Sequence, residues 1–562
     1  MARISEFLVQ YPELAVFLAI ALGYVIGGIK LGNFSLGPVT GALIAGLAIG
    51  QLGAIPVSGM AKSFLFLLFL FGIGYSVGPQ FLQAMRRGGV GPIVLAVVCT
   101  VTGLLAALVV ARFLGLDPGF AAGLLSGALT QSPALGTATE AIGALGLPDA
   151  QRDTLVAHAA IADAICYVFG AVGTIWFLST VAPRILGIDL ARECAALEAS
   201  LGIDRRVPGF QSGYAPVVLR AYSTPADAAL IGLTIAEAEA RFPDARLYIL
   251  RLRRAGKILE GTPELRIEGG DVLAIGGRLH PIIAILGPRA VEVEDEELLD
   301  APFLARDIHL TNKELGGATL EQAAGRPWAH GINLRSARRG GQALPLGAEL
   351  VFQRGDVLSI YGPQAAVEAA SPEIGTVIAP SNTTDFVVLG LAIFLGGLVG
   401  TLLRFSIGGV EVTIGTSVGA LVAGLLVGHM RVRYPLFGRI PDGAVALMTA
   451  LGLAAFVAMT GLHAGPLFIS ALKSTGLSLL LGGILVTLSP VLVGLAVGHW
   501  LLRMNPVLLL GGIAGAMTMT PAMAALQERG GSPVPVLGYT PAYPPAQILL
   551  TMWGSLIVTL VQ

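Results

Sequence analysis

The sequence predicts a polytopic α-helical membrane protein. We expect two inverted repeats, each of about five spans plus a broken or re-entrant segment, around a cytoplasmic α+β insert. Three observations lead to this fold class. The 562 residues are 54% hydrophobic and only 13% charged, whereas soluble domains carry about a quarter charged residues. Of the 71 charged side chains, 45 lie in residues 189–380. The two apolar flanks also resemble each other.

Apolar runs of about 20 residues, the length that crosses a bilayer, define the spans. In the first flank they lie at 13–29, 36–53, 62–83, 91–114, 119–145 and 154–182. In the second flank they lie at 385–403, 412–428, 443–462, 476–500, 506–527 and 536–560. We expect the Gly-rich runs at 119–145 and 506–527 to be broken at Pro133 and Pro521, because non-helical backbone at membrane depth must be buried in protein or line a cavity.

The flanks match at three places, in the same order. GALIAGLAIG from Gly41 matches GALVAGLLVG from Gly419, VGPQFLQAMRRGGV from Val77 matches AGPLFISALKSTGL from Ala464, and GALTQSPAL from Gly127 matches GAMTMTPAM from Gly515. An odd number of spans per copy turns the second copy upside down, which is the plan of many secondary transporters.

The insert contains a second duplication, at a constant offset of 85 residues that pairs Gly232 with Gly317 and Asp271 with Asp356. Short alternating runs bounded by Gly-Asp turns predict strands and hairpins. We therefore expect four domains. They are membrane repeat 1 at 1–188, cytoplasmic modules at 189–290 and 291–380, and membrane repeat 2 at 381–562.

Charge and motif content exclude several functions. The net charge of −1 gives no field for nucleic acid. The three cysteines form no metal-ligand or disulfide pattern, and no phosphate-binding glycine motif is present. We expect no metal, no cofactor and no enzymatic activity. Nine Lys and Arg on the insert side against six on the other predict a cytoplasmic insert with both termini outside.

The paired GAxTx[ST]PA segments are the strongest functional signal. Small residues let a solute approach the backbone, hydroxyls supply hydrogen bonds, and proline frees backbone groups. Two half-helix N-termini would bind a carboxylate near the bilayer midplane. The alternative is a packing seam of small residues. The predicted substrate-binding residues here are Gly127, Thr130, Ser132, Pro133, Gly515, Thr518, Thr520 and Pro521.

Asp163 lies inside the last span of the first flank, where a charge usually has a function. It would bind a cation, carry a proton or hold a substrate amine; the alternative is a structural hydrogen bond. Asp163 aligns with Tyr539, and Tyr167 aligns with Tyr543. We expect Tyr167 and Tyr543 to line the path. The supporting candidates, which would otherwise cap helices or face water, are Glu140, Glu528 and His158.

With these motifs, the whole chain resembles the aspartate:alanine exchanger family of bacterial membrane transporters. GALTQSPAL and GAMTMTPAM carry the likeness in the membrane halves. In the insert, RRAGKILEGTPELRIEGGDVLAIGG and RRGGQALPLGAELVFQRGDVLSIYG resemble the C-terminal subdomain of RCK (TrkA-C) proteins. The resemblance implies an antiporter of the bacterial inner membrane that exchanges aspartate for alanine. It also implies a homodimer with an elevator-like moving part.

The third span is a departure, because LFLFGIGYSVGPQF contains no Arg or Lys. A second substrate carboxylate would then be held by helix ends, or by Arg152, Arg404 or another basic group at a span end.

Two other functions compete with antiport. The first is an RCK-regulated ion channel or cation transporter, although no filter sequence such as TVGYG occurs. The second is a receptor, which explains the duplicated broken segments poorly. The expected partners are a small carboxylate or amino-acid substrate, the lipid bilayer, a second copy of the chain, and a small cytosolic regulator at residues 189–380.

Overall fold

The computed structural model describes the backbone of residues 2–31, 34–35, 37–87, 90–200, 218–225, 228–241, 248–277, 286, 290–329, 331–339, 342–378, 383–407, 410–413, 415–434 and 437–562. The chain forms two compact units. The first comprises Met1–Glu198, Arg339–Leu344 and Pro380–Gln562, and the second Ala199–Arg338 and Pro345–Ala379.

The first membrane half is helical. Its helices are α1 (Ala2–Gln10), α2 (Pro12–Gly28), α3 (Pro38–Gly50), α4 (Gly59–Arg87), α5 (Val90–Leu114), α6 (Pro118–Ala128), α7 (Ser132–Ala144) and α8 (Asp149–Trp176), followed by a π-helical turn (Phe177–Val181), α9 (Ala182–Ile185) and α10 (Leu190–Ser200). A small hairpin of β1 (Lys30–Leu31) and β2 (Phe34–Ser35) joins α2 to α3. Helices α2, α3 and α6 carry proline in their first turn, where a missing N–H costs no helical hydrogen bond.

The second unit contains the duplicated insert. The elements of residues 218–377 are β3 (Val218–Ser223), α11 (Ile235–Arg241), β4 (Tyr248–Arg254), β5 (Lys257–Glu260), β6 (Val272–Gly277), α12 (Glu296–Leu299), β7 (Phe303–Leu310), α13 (Leu320–Ala324), β8 (Asn333–Arg339), β9 (Gln342–Leu344), β10 (Val357–Pro363), α14 (Gln364–Ile374) and β11 (Gly375–Val377). Of these, β9 belongs to the first unit. One sheet has the order β3-β6-β4-β5, and the other contains β11, β7, β10 and β8 in that order. The two copies have the same order of strands. Strands β7, β8, β9 and β10 begin 85 residues after β3, β4, β5 and β6, respectively.

The Gly-Asp turns of the insert are structural. The buried Asp271 carboxylate accepts a hydrogen bond from the Glu268 amide at 2.9 Å and pairs with Arg254 at 2.8 Å. In the second copy, Asp356 accepts from the Gln353 amide at 2.8 Å. Each aspartate therefore closes the turn that precedes a central strand.

The second membrane half repeats the order of the first. It consists of α15 (Phe386–Leu402), a hairpin of β12 (Arg404–Ile407) and β13 (Val410–Thr413), α16 (Gly415–Arg433), α17 (Asp442–Ala496) with a π-helical turn (Val497–Leu501), α18 (Pro506–Ala516), α19 (Thr520–Gly530) and α20 (Val536–Val561). Among the described residues, five helices are long and apolar enough to cross a bilayer. They are Gly59–Pro79, Val90–Leu114, Asp149–Ile185, Asp442–Leu501 and Val536–Val561, with shorter apolar helices between them. The polytopic helical fold class is confirmed.

One boundary differs from the prediction. The runs at 443–462 and 476–500 belong to one continuous helix, α17, without a break between them. The intervening polar residues do not form a turn, because the Ser474 and Thr475 hydroxyls donate to the Ala471 carbonyl within the same helix, at 3.2 and 2.9 Å. Hydroxyls bonded in this way are compatible with helical backbone.

Matching glycines make matching contacts in the two halves. A Cβ on Gly46 of α3 would lie 2.6 Å from the Ala458 carbonyl oxygen in α17. A Cβ on Gly424 of α16, at the same place in the repeat, would lie 2.3 Å from the Phe71 carbonyl oxygen in α4. The repeat-related helices α3 and α16 thus pack backbone to backbone on α17 and α4, each on a helix of the other half. Only a residue without a side chain permits this approach.

This packing predicts that Gly424→Ala lowers stability. The new methyl group would clash with the Phe71 carbonyl, and overpacking of this kind costs about 1–3 kcal/mol. The matched control is Gly390→Ala in α15, because no atom of the part of the chain that the structure describes lies within 4 Å of a Cβ at that position. The melting temperature in detergent should fall for Gly424→Ala and stay level for Gly390→Ala. Equal values for the two variants would contradict the packing argument.

Candidate functional site

Both Gly-rich runs are broken, as the sequence predicts, but not at the prolines. Helix α6 ends at Ala128 and α7 begins at Ser132; α18 ends at Ala516 and α19 begins at Thr520. Pro133 and Pro521 lie in the first turn of the helix that follows each break. Since proline is tolerated in that turn, the predicted role of proline as the breaking residue is wrong.

The breaks occur instead at two threonines in the left-handed region. Thr130 has a φ of 53° and Thr518 a φ of 52°, a conformation unusual for a β-branched residue. The hydrogen bonds are equivalent as well. Thr130 N–H donates to the Gly127 carbonyl at 3.0 Å, and Thr518 N–H donates to the Gly515 carbonyl at 2.9 Å. Each loop is thus a left-handed helix-ending turn made by a residue that favours other conformations.

The two loops meet each other. The Thr518 hydroxyl donates to the side-chain oxygen of Gln131 at 2.7 Å. Gln131 is 3% exposed, and its amide nitrogen has no hydrogen-bond partner among the described residues. Neither α7 nor α19 has a side-chain cap on its first turn. Hydrogen-bond donors of the backbone and of Gln131 therefore gather where the half-helices begin, an arrangement that suits an anion.

Asp163 lies against the first loop. Its carboxylate accepts a hydrogen bond from the Ser126 hydroxyl at 2.5 Å, and Asp163 is 3% exposed. A Cβ on Gly127 would lie 2.5 Å from the Asp163 carbonyl oxygen. The close approach explains why glycine stands at position 127, since α6 and α8 touch there through their backbones.

Tyr539 occupies the equivalent place at the second loop. A Cβ on Gly515 would lie 2.4 Å from the Tyr539 carbonyl oxygen, and the Tyr539 hydroxyl is 3.0 Å from the Thr520 hydroxyl. Tyr543 stacks on Tyr539 with ring centres 5.4 Å apart and is half-buried, as is Tyr167 in the first half. The two repeat-related positions therefore carry different groups. The carboxylate of Asp163 lies beside the first loop, and the phenol of Tyr539 lies beside the second.

The supporting candidates lie in different surroundings. The Glu140 carboxylate accepts from the Thr416 amide at 2.6 Å and from the Ser417 amide at 3.2 Å, so it caps the N-terminus of α16 in the other half. Glu528 is exposed. His158 pairs with Asp117 at 2.6 Å and stacks on Phe120 at 3.9 Å, which positions it at the start of α6 and not at the loop.

Sequence reasoning missed Gln131 and Ser126 as site residues. Gln131 stands inside GALTQSPAL, between two residues that were predicted to bind substrate. Its counterpart in the second copy is Met519, so a comparison of the repeats directs attention away from it. The available signal was an amide side chain at the centre of an otherwise small and apolar run.

The surroundings of the two breaks are unequal. Ser132 and Pro133 are buried, whereas Thr520 and Pro521 are exposed. Helix α7 is covered by α20, because the Thr137 hydroxyl donates to the Thr551 carbonyl at 2.7 Å. The start of α19 is therefore exposed, whereas the equivalent start of α7 is buried.

A family model described as a predicted permease membrane region, that of the Asp–Al exchangers, matches residues 15–183 and 388–559. The chain belongs to the aspartate:alanine exchanger family. The match covers both membrane halves and both broken segments. Membership in this family, together with the membrane-spanning helices, supports a multi-pass membrane transporter.

Similar members of this family are described only as uncharacterized transporters. One from Bradyrhizobium diazoefficiens is 56% identical over 91% of this chain and 99% of its own length. One from Bordetella parapertussis is 40% identical over 98% of this chain and 96% of its own. One from Shewanella oneidensis is 36% identical over 98% of each. No solved structure matches the chain significantly.

The left-handed loops predict an unusual order of stability. Thr518→Gly and Thr518→Val both remove the hydroxyl that bonds Gln131, but only glycine adopts a positive φ without strain. We expect Thr518→Gly to be the more stable by about 1 kcal/mol.

The control is the same pair at Thr540, inside helix α20, where glycine should be the less stable variant. Thermal unfolding in detergent measures both orders. If glycine were the less stable variant at both positions 518 and 540, the result would argue against backbone strain in the loop.

Proposed function

We propose that the protein is a secondary antiporter that exchanges small carboxylate or amino-acid solutes, with aspartate for alanine as the first pair to test. The observation that carries the proposal is the hydrogen bond between Thr518 and Gln131, which brings the two broken segments together. Uncapped half-helix starts that converge in this way bind anions without a full protein charge in the bilayer.

Each predicted residue has a role in this proposal. The hydroxyls of Thr130, Ser132, Thr518 and Thr520 and the adjacent backbone amides bind the substrate carboxylate, for which the Thr518 hydroxyl leaves its present acceptor, the Gln131 oxygen. Gly127 and Gly515 keep the loops close to α8 and α20, and Pro133 and Pro521 stiffen the first turns of the half-helices. Tyr167 and Tyr543 line the path.

Asp163 meets the substrate ammonium or a coupling cation. Its burial beside the first loop supports this role. Among the described residues Ser126 is the one side chain that donates to the Asp163 carboxylate, and a buried carboxylate with so few donors is costly in a dry site. A bound cation would offset that cost. Tyr539, at the equivalent place, has no charge to balance, so the site has one acidic side and one neutral side.

The unequal exposure of the two breaks supports alternating access. Two copies of one element, one covered and one open, are what a transporter held in one of its two states should contain. The open copy is α19. It ends at Gly530, where a Cβ would lie 2.8 Å from Cys194 of α10, the helix that leads into the insert. We propose that this arrangement is open on the insert side, and that the loops move in an elevator-like way.

The proposal also covers location and assembly. It assigns the protein to the bacterial cytoplasmic membrane as a homodimer, with both termini outside and the insert in the cytoplasm. The two insert modules brace the dimer or bind a small cytosolic regulator. Membrane-spanning helices and the family membership support the multi-pass part of this description.

Loss of the loop hydroxyls should abolish most exchange. Thr130→Val and Thr518→Val remove hydrogen bonds to a charged group, which is worth about 1.5–3 kcal/mol, so we expect a fall of about tenfold or more. Thr130→Gly and Thr518→Gly remove the same hydroxyls without backbone strain, and exchange by these variants should fall by the same factor. The control is Thr154→Val, since Thr154 is exposed and bonds its own helix.

The measurement is counterflow of labelled aspartate in proteoliposomes loaded with a panel of unlabelled solutes. Saturable uptake that requires an internal solute is the result expected of an antiporter. Normal uptake in both pairs of variants would remove the site assignment. Ohmic current without a counter-solute would instead favour the channel function.

Asp163→Asn should also stop exchange. The amide keeps the shape of the carboxylate and can still accept from Ser126, so folding is retained while the charge is lost. We expect exchange to fall about tenfold or more if the carboxylate faces a substrate ammonium or coupling cation. Ser126→Ala is the companion variant, because it keeps the charge and removes only the hydroxyl. Wild-type rates in Asp163→Asn would reduce Asp163 to a structural residue.

A further inference from the structure

A cavity separate from the broken loops lies at the N-terminal ends of α4 and α8. Its volume is about 630 Å³, and α4, α7, α8, α16 and α17 contribute to its lining. A cavity of several hundred cubic ångströms accommodates a small solute. It lies at the end of α8 opposite to the one from which the chain leaves for the insert.

Two cationic side chains line this cavity without full partners. Lys62 Nζ lies 5.2 Å from the centre of the Phe456 ring. Among the described residues no carboxylate pairs with it within 4 Å, although the charge of Asp153 attracts it. Arg152 donates to the Gly143 carbonyl at 3.1 Å and pairs with Asp149. The Nε atom of Arg152 is buried and has no hydrogen-bond partner among the described residues.

The carboxylates of the cavity are occupied or solvated. Glu140 is bonded to the start of α16. Asp149 and Asp153 are 89% and 68% exposed, so water screens both charges, and Asp153 lies 4.0 Å from His463. In the less exposed part of the cavity, Lys62 Nζ and Arg152 Nε are therefore the donors of the described residues that remain for an anion.

The floor of the cavity is close to the first loop. Phe66 and Phe456 stack there with ring centres 4.4 Å apart, and the Phe66 ring fills the space beside Gly136, where a Cβ would lie 1.9 Å from it. Gly136 follows Ser132 by four residues, which is about 6 Å along a helix. One aromatic pair thus separates the cavity from the start of α7.

We propose that this cavity is a capture site for a dicarboxylate or an acidic amino acid before it reaches the loops. Lys62 and Arg152 bind the side-chain carboxylate of the solute. The Phe66–Phe456 pair is a closed gate between the capture site and the substrate site. The inference rests on the proposed antiport function. Lys62 stands in the same helix six residues before LFLFGIGYSVGPQF, which itself contains no cation.

Charge removal tests the capture site in full-length protein in proteoliposomes. Lys62→Gln and Arg152→Gln should raise the KM for aspartate about tenfold and leave kcat within twofold. Exchange of alanine, which has no second carboxylate, should keep its KM. The control is Lys473→Gln, an exposed lysine outside the cavity. Equal effects on aspartate and alanine, or no effect on either, would overturn the proposal.

A binding measurement separates this proposal from the antiport function. Ser63 is exposed and lines the cavity, and the native cysteines are buried. Ser63→Cys should react with a membrane-impermeant thiol reagent, and aspartate, but not alanine, should slow that reaction at least fivefold. Protection should persist in a Ser63→Cys/Thr518→Val double variant, in which transport is lost. Loss of protection in Lys62→Gln supports the site; equal protection by alanine contradicts it.

Discussion

The structure depends on one constraint, which is that non-helical backbone inside a membrane protein must find hydrogen bonds without bulk water. Residues 129–131 and 517–519 are such backbone. Each loop satisfies its amides on the carbonyls of the helix that precedes it, through Thr130 and Thr518 in a left-handed turn. Within the part of the chain that the structure describes, the first turns of α7 and α19 have no side-chain cap. The loops meet through side chains, because the Thr518 hydroxyl donates to the Gln131 oxygen.

Close helix packing makes that meeting possible. Gly127 and Gly515 bring α6 and α18 against the backbones of Asp163 and Tyr539, and Gly46 and Gly424 lock each half to the other. These contacts leave no room for side chains, so the loops are held by rigid neighbours and not by flexible ones. Strained threonines persist only where their surroundings determine the backbone in this way.

Hydropathy predicted the helical spans, because a segment that crosses a bilayer must be apolar. The repeats predicted the two breaks, because equivalent sequences in the two halves form equivalent structures. Three features depend on contacts that spacing does not encode. The continuity of α17 depends on how Ser474 and Thr475 satisfy their hydroxyls. The partner of Glu140 lies 276 residues away, at Thr416. The contribution of Gln131 has no counterpart in the second repeat, so symmetry conceals it.

The departure from symmetry is itself informative. If both repeats supplied the same groups, the site would suit a solute with two equal ends. Here the position beside the first loop is the carboxylate of Asp163, and the position beside the second is the phenol of Tyr539, bonded to Thr520. In the proposed function, donors of both loops would bind a substrate carboxylate, while only the side of Asp163 would offer a negative charge to a cation. A zwitterion with its carboxylate near the loops and its ammonium towards Asp163 would satisfy both sides at once, whereas a simple dianion would leave Asp163 without a cation.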